Sequence, residues 1–256
     1  MPPTVKVESH DAPTKAWQKE AAKRVIDHFG NQLPNRSLLC FFDDQDWPDL
    51  KEARGEAIRG FYKPEGYPGF RQGAPEYIID FVFSAPPVFD NLIYLLRSTC
   101  ENEVGLTMTF AHELQHFIQH SNMLPHWAAN SFIYDFFNSV SYAALGLKTF
   151  SFPFEREARV VSKGTAENLF GAEVVRQYID TKIADPVDAD DAADWEFVQE
   201  IDTSVPYDLA GETKLFFQQL KPYRPGLEEY LKIPEVKNNP DFKYVDLDAL
   251  FDGAGA

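Results

Sequence analysis

Two histidines and a glutamate stand close together in residues 107–118, as His112-Glu113-Leu114-Gln115-His116. Positions four apart on a helix lie one above the other. His112 and His116 would then aim two imidazoles at one point outside the helix, which suits a divalent zinc ion. Glu113 lies about 100° further round, beside that point but off it. From there it can take a proton from a bound water without displacing a ligand. The chemistry these types and this spacing offer is metal-assisted hydrolysis.

The flanking residues bear on that reading. From residue 105 to 118 no side chain other than Glu113 is acidic, Lys or Arg, so the helix is expected to be mostly buried. A buried helix that carries two imidazoles and a carboxylate needs a reason, because unpaired polar groups there cost free energy. The plainer alternative is a helix with two satisfied histidines and one exposed glutamate.

The segment resembles the active-site helix of zincin metallopeptidases. Their extended pattern has Val or Thr three before the first His, uncharged residues around the motif and a hydrophobic residue two after the second His. Thr109, Phe110, Leu114, Gln115, Phe117 and Ile118 fill those places here. The resemblance implies an α+β fold, a mainly helical zincin-like domain with a small mixed sheet beside the active-site helix. It also implies a zinc-dependent endopeptidase acting on a peptide or protein substrate through a metal-activated water, with Glu113 as general base and one zinc ion as cofactor.

Two histidines and a water leave a zinc site one protein ligand short. The gluzincin branch of the family supplies a Glu from a later helix, often followed three residues on by Ala. Glu155 has Ala158 in that place, so the resemblance makes it the third ligand. Glu157 is the alternative, and since helix neighbours two apart face nearly opposite ways, only one can face the ion. Many gluzincins have an acidic residue four after the ligand Glu, which orients a ligand histidine. This chain has Arg159 there, so another carboxylate or a carbonyl must do that work, and Asp135 is one candidate. The bland reading of residues 155–159 is a charged first turn complementing the helix dipole.

Other third ligands fit less well. His120 continues the motif face but lies about 6 Å further along the axis, pointing past the ion. The histidine that the metzincin branch places six after the second motif His is Asn122 here. His126 follows Pro125, and a solvent-facing role is expected for it and for His120. A Tyr, His or Arg would stabilise the oxyanion; Tyr178, Tyr207 and Tyr223 lie downstream, and nothing in the sequence selects one.

Several elements must position these residues. Trp17, Ala21, Val25 and Phe29 recur four apart, predicting an amphipathic helix over residues 14–29 that Thr14 caps and Gly30 and Asn31 end. Residues 37–42 read as a buried strand. Residues 76–84 have strand composition, and the zincin resemblance makes them the candidate edge for pairing with an extended substrate. Residues 91–97 are ambiguous between strand and helix. A long aromatic helix is expected over 126–145 after a break at 123–125, a new helix after Pro153, and another over 168–183. The acidic, Ala-rich residues 184–194 read as a solvated linker, 215–220 as a helix, and 241–256 as an acidic tail that frays. The zincin-like domain is thus expected over 1–183, with 184–256 as an extension that could belong to the same domain.

Composition bounds the function classes. The chain has 256 residues, 44% of them hydrophobic and 14% aromatic, enough for a substantial folded core. A net charge of −16 argues against nucleic acid, whose phosphates need a clustered basic face, and against anionic membrane surfaces. No apolar run approaches membrane-spanning length. With no apolar leader at the amino terminus and two cysteines, Cys40 and Cys100, a cytoplasmic protein with reduced thiols is expected; secretion by a signal-free route is the alternative. The competing function is a catalytically inert zincin-like module that binds a protein partner. Oligomeric state is not readable.

Overall fold

The computed structural model describes residues 5–8, 15–42, 59–64, 91–96, 101–122, 124–139, 147–239 and 242–252. The fold is α+β and mainly helical, with a small mixed sheet. The strands are β1 (Val5–Glu8), β2 (Leu38–Phe42), β3 (Gly60–Pro64) and β4 (Asn91–Leu95), in the order β1-β2-β4-β3. β1 pairs with β2 and β2 with β4 in parallel, whereas β3 and β4 are antiparallel. The predicted strand at 37–42 is β2, and the ambiguous 91–97 segment is a strand. Every residue of β4 is buried, which is why its sequence is a continuous apolar run and not an alternation. Asn91, the polar exception, accepts a bond from Tyr62 Oη at 2.7 Å and donates to Ser37 O at 3.0 Å.

The helices are α1 (Ala16–Phe29), α2 (Glu103–Asn122), α3 (Leu124–Ser139), α4 (Pro153–Phe170), α5 (Ala172–Ala184), α6 (Ala189–Glu200), α7 (Leu209–Gln219), α8 (Arg224–Tyr230), α9 (Pro234–Lys237) and α10 (Leu247–Asp252). α1 buries Ala21, Ala22, Val25 and Phe29 and stops at Gly30, whose φ of +50° suits glycine. Thr14, the expected cap, lies outside the described residues, as do the strand expected at 76–84 and Cys100. Pro125 and Pro153 fall in the first turns of α3 and α4, where a missing N–H costs nothing.

The chain forms two compact units. The first takes in residues 1–118 and 158–204, the second residues 119–157 and 205–256, so α2 and α4 each run from one into the other. In the first unit, the motif helix α2 lies beside the sheet. Tyr62 of β3 meets Phe117 at 5.9 Å between ring centroids. A Cβ on Gly60 would come within 2.8 Å of Tyr94 O and 3.3 Å of Thr109 Cγ2, so glycine lets β3 approach both β4 and α2. Met108 of α2 packs with Ala166, Val175, Ile179, Trp195 and Val198 of α4, α5 and α6.

Two expectations for this unit are corrected. The helix expected at 168–183 is two helices, because Gly171 takes φ +88° between α4 and α5. Residues 184–194 are not a solvated linker: α6 starts within them, capped by Asp188, which accepts from Asp190 N and Asp191 N. Its far end is held by Lys163, which donates to Gln199 O at 2.9 Å and Ile201 O at 2.7 Å. Burial works to lower the Lys163 pKa, against the opposing pull of Glu167 and Asp202.

In the second unit the core is aromatic. Phe132 of α3 contacts Tyr230 and Phe242, Phe152 contacts Phe216, and Phe217 contacts Phe251. Asn130 ties α3 to α7 by donating to Thr213 Oγ1 at 3.0 Å. The carboxy-terminal segment does not fray through its described part, since Phe242 and Phe251 are each 2% exposed. Two buried rings hold it in place. No helix among the described residues is long and apolar enough to cross a membrane.

Candidate metal centre

α2 presents the motif. The ring nitrogens His112 Nε2 and His116 Nε2 stand 3.1 Å apart, with the rings perpendicular and their centroids 4.7 Å apart. Two imidazole nitrogens bound tetrahedrally to one zinc at about 2.0–2.1 Å would be about 3.3 Å apart, so the pair is already near that spacing. Glu113 is buried beside them at 5% exposure. Flanking residues Phe110, Leu114 and Phe117 are fully buried, which explains the lack of charge around the motif.

The ligand atoms of His112, His116 and Glu155 all lie within 4.8 Å of one another, and among the described residues this is the group that could hold a metal ion. Glu155 sits in the first turn of α4. Glu157, the alternative, is buried and accepts from Gln119 Nε2 at 2.7 Å. Gln119 also donates to Phe154 O at 2.9 Å, which fixes the backbone at the start of α4. Two imidazoles and one carboxylate leave a tetrahedral ion one further position, so the donor set fits zinc.

The structure corrects two other assignments. His120 is not solvent-facing: it is buried edge-to-face against Trp127, 5.7 Å between centroids. His126 is half-buried, and its carbonyl accepts from Asn130. Asp135 is engaged by Tyr230 Oη at 3.0 Å. Burial raises the Asp135 carboxyl above its usual range, a shift that the Tyr230 bond partly offsets. That bond joins α3 to α8.

The sequence reading missed a buried ion network. Arg159 Nε donates to Asp194 Oδ1 at 2.5 Å, and Arg59 Nη1 donates to Asp194 Oδ2 at 3.0 Å. Arg59 also pairs with Asp191 and lies 4.1 Å over the Trp195 ring. Burial opposes ionisation of Asp194, but the charges of Arg159 and Arg59, the Arg159 bond and the charge of His112 overcome it. The carboxyl is held below the usual carboxylate range. The signal was legible in part: Asp188 before Trp195 and Val198 is an N-cap followed by helical spacing.

The tyrosines separate as well. Tyr178 packs edge-on against Trp195, and Tyr223 against Phe137. The Tyr207 hydroxyl is buried without a hydrogen-bond partner among the described residues, and burial pushes its pKa up.

Compared with protein-family models, curated proteins and solved structures, this chain matches none. Its function has to be argued from its own residues.

Proposed function

We propose that this chain is a zinc-dependent endopeptidase of the gluzincin type. What carries the reading is the convergence of His112, His116 and Glu155 within 4.8 Å, with the motif glutamate buried alongside. The two histidines and Glu155 would hold the ion. When bound, zinc supplies Lewis acidity that lowers the pKa of a water and polarises a carbonyl. Glu113, one residue along from His112, accepts the proton from the attacking water and returns it to the departing amine. The substrate is a peptide or protein, and the enzyme belongs in the cytoplasm, where the free, buried Cys40 stays reduced.

Metal analysis of the purified protein tests the reading, with and without His112→Ala. One equivalent of zinc, lost in the variant, is the expected result; no zinc in either protein overturns it. Glu113→Gln then separates an enzyme from an inert module. It should keep the metal and lose about 10²–10⁴-fold in peptide hydrolysis.

A further inference from the structure

Glu155 is held only weakly by its own helix. It lies in the first turn of α4, two residues after Pro153, where backbone N–H groups have no partner within the helix. Helix ends of that kind fray, so a ligand standing there needs support from outside. Phe154 beside it packs its ring against Trp127 and Tyr134, 5.6 and 6.0 Å between centroids. Such contacts tolerate small displacements, whereas a hydrogen bond weakens steeply as its geometry drifts.

Gln119 supplies that bond. It is fully buried on α2, three residues after His116, and residues three apart are neighbours on a helix surface. Its Nε2 donates to Phe154 O at 2.9 Å and to Glu157 Oε2 at 2.7 Å. Carbonyl and carboxylate oxygens only accept, which fixes the amide with its nitrogen toward α4. The two bonds straddle Glu155, one residue before it and two after. The path between ligands is therefore short: three residues of helix from His116, one bond of 2.9 Å, then one residue to Glu155. A carboxylate oxygen must come within about 2.0–2.2 Å of a zinc ion, so a drift of about an ångström in that turn would take Glu155 out of reach. A buried amide costs free energy unless it is bonded, and an apolar side chain would fill the same space without holding any backbone.

We propose that Gln119 is a positioning residue for the third metal ligand: through Phe154 O it fixes the turn of α4 that brings Glu155 to His112 and His116. This rests on the zinc reading above. Glu157 acts only on the amide, keeping it turned toward the carbonyl, and a Gln in its place would still offer an acceptor there.

The test is a double-mutant cycle read as zinc affinity, by chelator competition on the full chain. Gln119→Leu should weaken zinc binding by about 10–100-fold. After Glu155→Gln the same change should cost no more than about twofold, since no ligand carboxylate is left to place. A purely structural role would cost the same factor in both backgrounds. Gln119→Leu combined with Glu157→Leu covers the case in which the single variant fails to fold, because replacing both partners of a buried bond by apolar groups can be nearly neutral for stability. The same loss of affinity is expected there, Phe154 O being without its Gln119 donor. Wild-type zinc affinity in either variant, or equal losses with and without Glu155, would overturn the proposal. Failure of the zinc reading shows separately, as wild-type protein that binds no zinc or binds it equally well after His112→Ala, and takes this proposal with it.

Discussion

Gln119 Nε2 lies 2.7 Å from Glu157 Oε2, one turn of α2 beyond the histidine pair. That bond gives Glu157 a structural partner and leaves Glu155 as the carboxylate grouped with His112 and His116. Glu155→Gln is therefore expected to lower zinc affinity by more than about 100-fold, beyond the 10–100-fold that loss of an outer partner costs. Glu157→Gln should leave it within a factor of about two and act on stability, since Gln119 then meets a weaker acceptor. Chelator competition and thermal melting of the two variants, side by side, check both halves. A larger affinity loss in the second would reverse the assignment.

Tyr207 buries a hydroxyl with no partner among the described residues. An unsatisfied buried group costs about 1–3 kcal/mol, so Tyr207→Phe should leave the fold as stable as before or up to about 1 kcal/mol more stable. Denaturant unfolding would measure this. Clear destabilisation would mean that the hydroxyl is bonded in solution.

Gly60 has no room for a side chain, because a Cβ would meet the Tyr94 carbonyl and Leu95 Cδ2 at 2.8 Å. The carbonyl belongs to the central strand and cannot rotate away. Gly60→Ala should cost about 1–3 kcal/mol by overpacking and loosen β3 from α2. The midpoint of urea unfolding should fall, with the slope unchanged; an unaltered midpoint would contradict the close approach.

Asp194 has a carboxyl held below its usual range, so the folded state binds its proton more weakly than the unfolded chain does. Its stabilising contribution is fully present above the unfolded pKa of about 3.9 and disappears as pH falls through the folded value. The stability gap between wild type and Asp194→Asn should thus be widest near neutral pH and narrow below about pH 4. A gap independent of pH would mean that the carboxylate charge plays no part in the ion network.

The motif, its helix, the strand at β2 and the start of α4 were legible in the sequence because each rests on local rules. Helical spacing pairs His112 with His116, apolar runs mark buried strands, and Pro153 marks a helix start. The resemblance to gluzincins favoured Glu155 and kept Glu157 as the alternative; the bond that engages Glu157 was not legible, because it comes from Gln119, 38 residues away in the chain. Asp194 was hidden for the same reason. In an Ala- and Asp-rich stretch its neighbours look solvated, and what buries it is Arg59, 135 residues earlier, together with Arg159. His120 was misplaced because burial is set by a partner such as Trp127, not by a residue's polarity. By itself the sequence determined which groups can bind an ion and move a proton. The tertiary structure alone grouped Glu155 with the histidines and paired Asp194 with Arg59 and Arg159, since a charged side chain is placed by its counter-charge and that charge lies far along the chain.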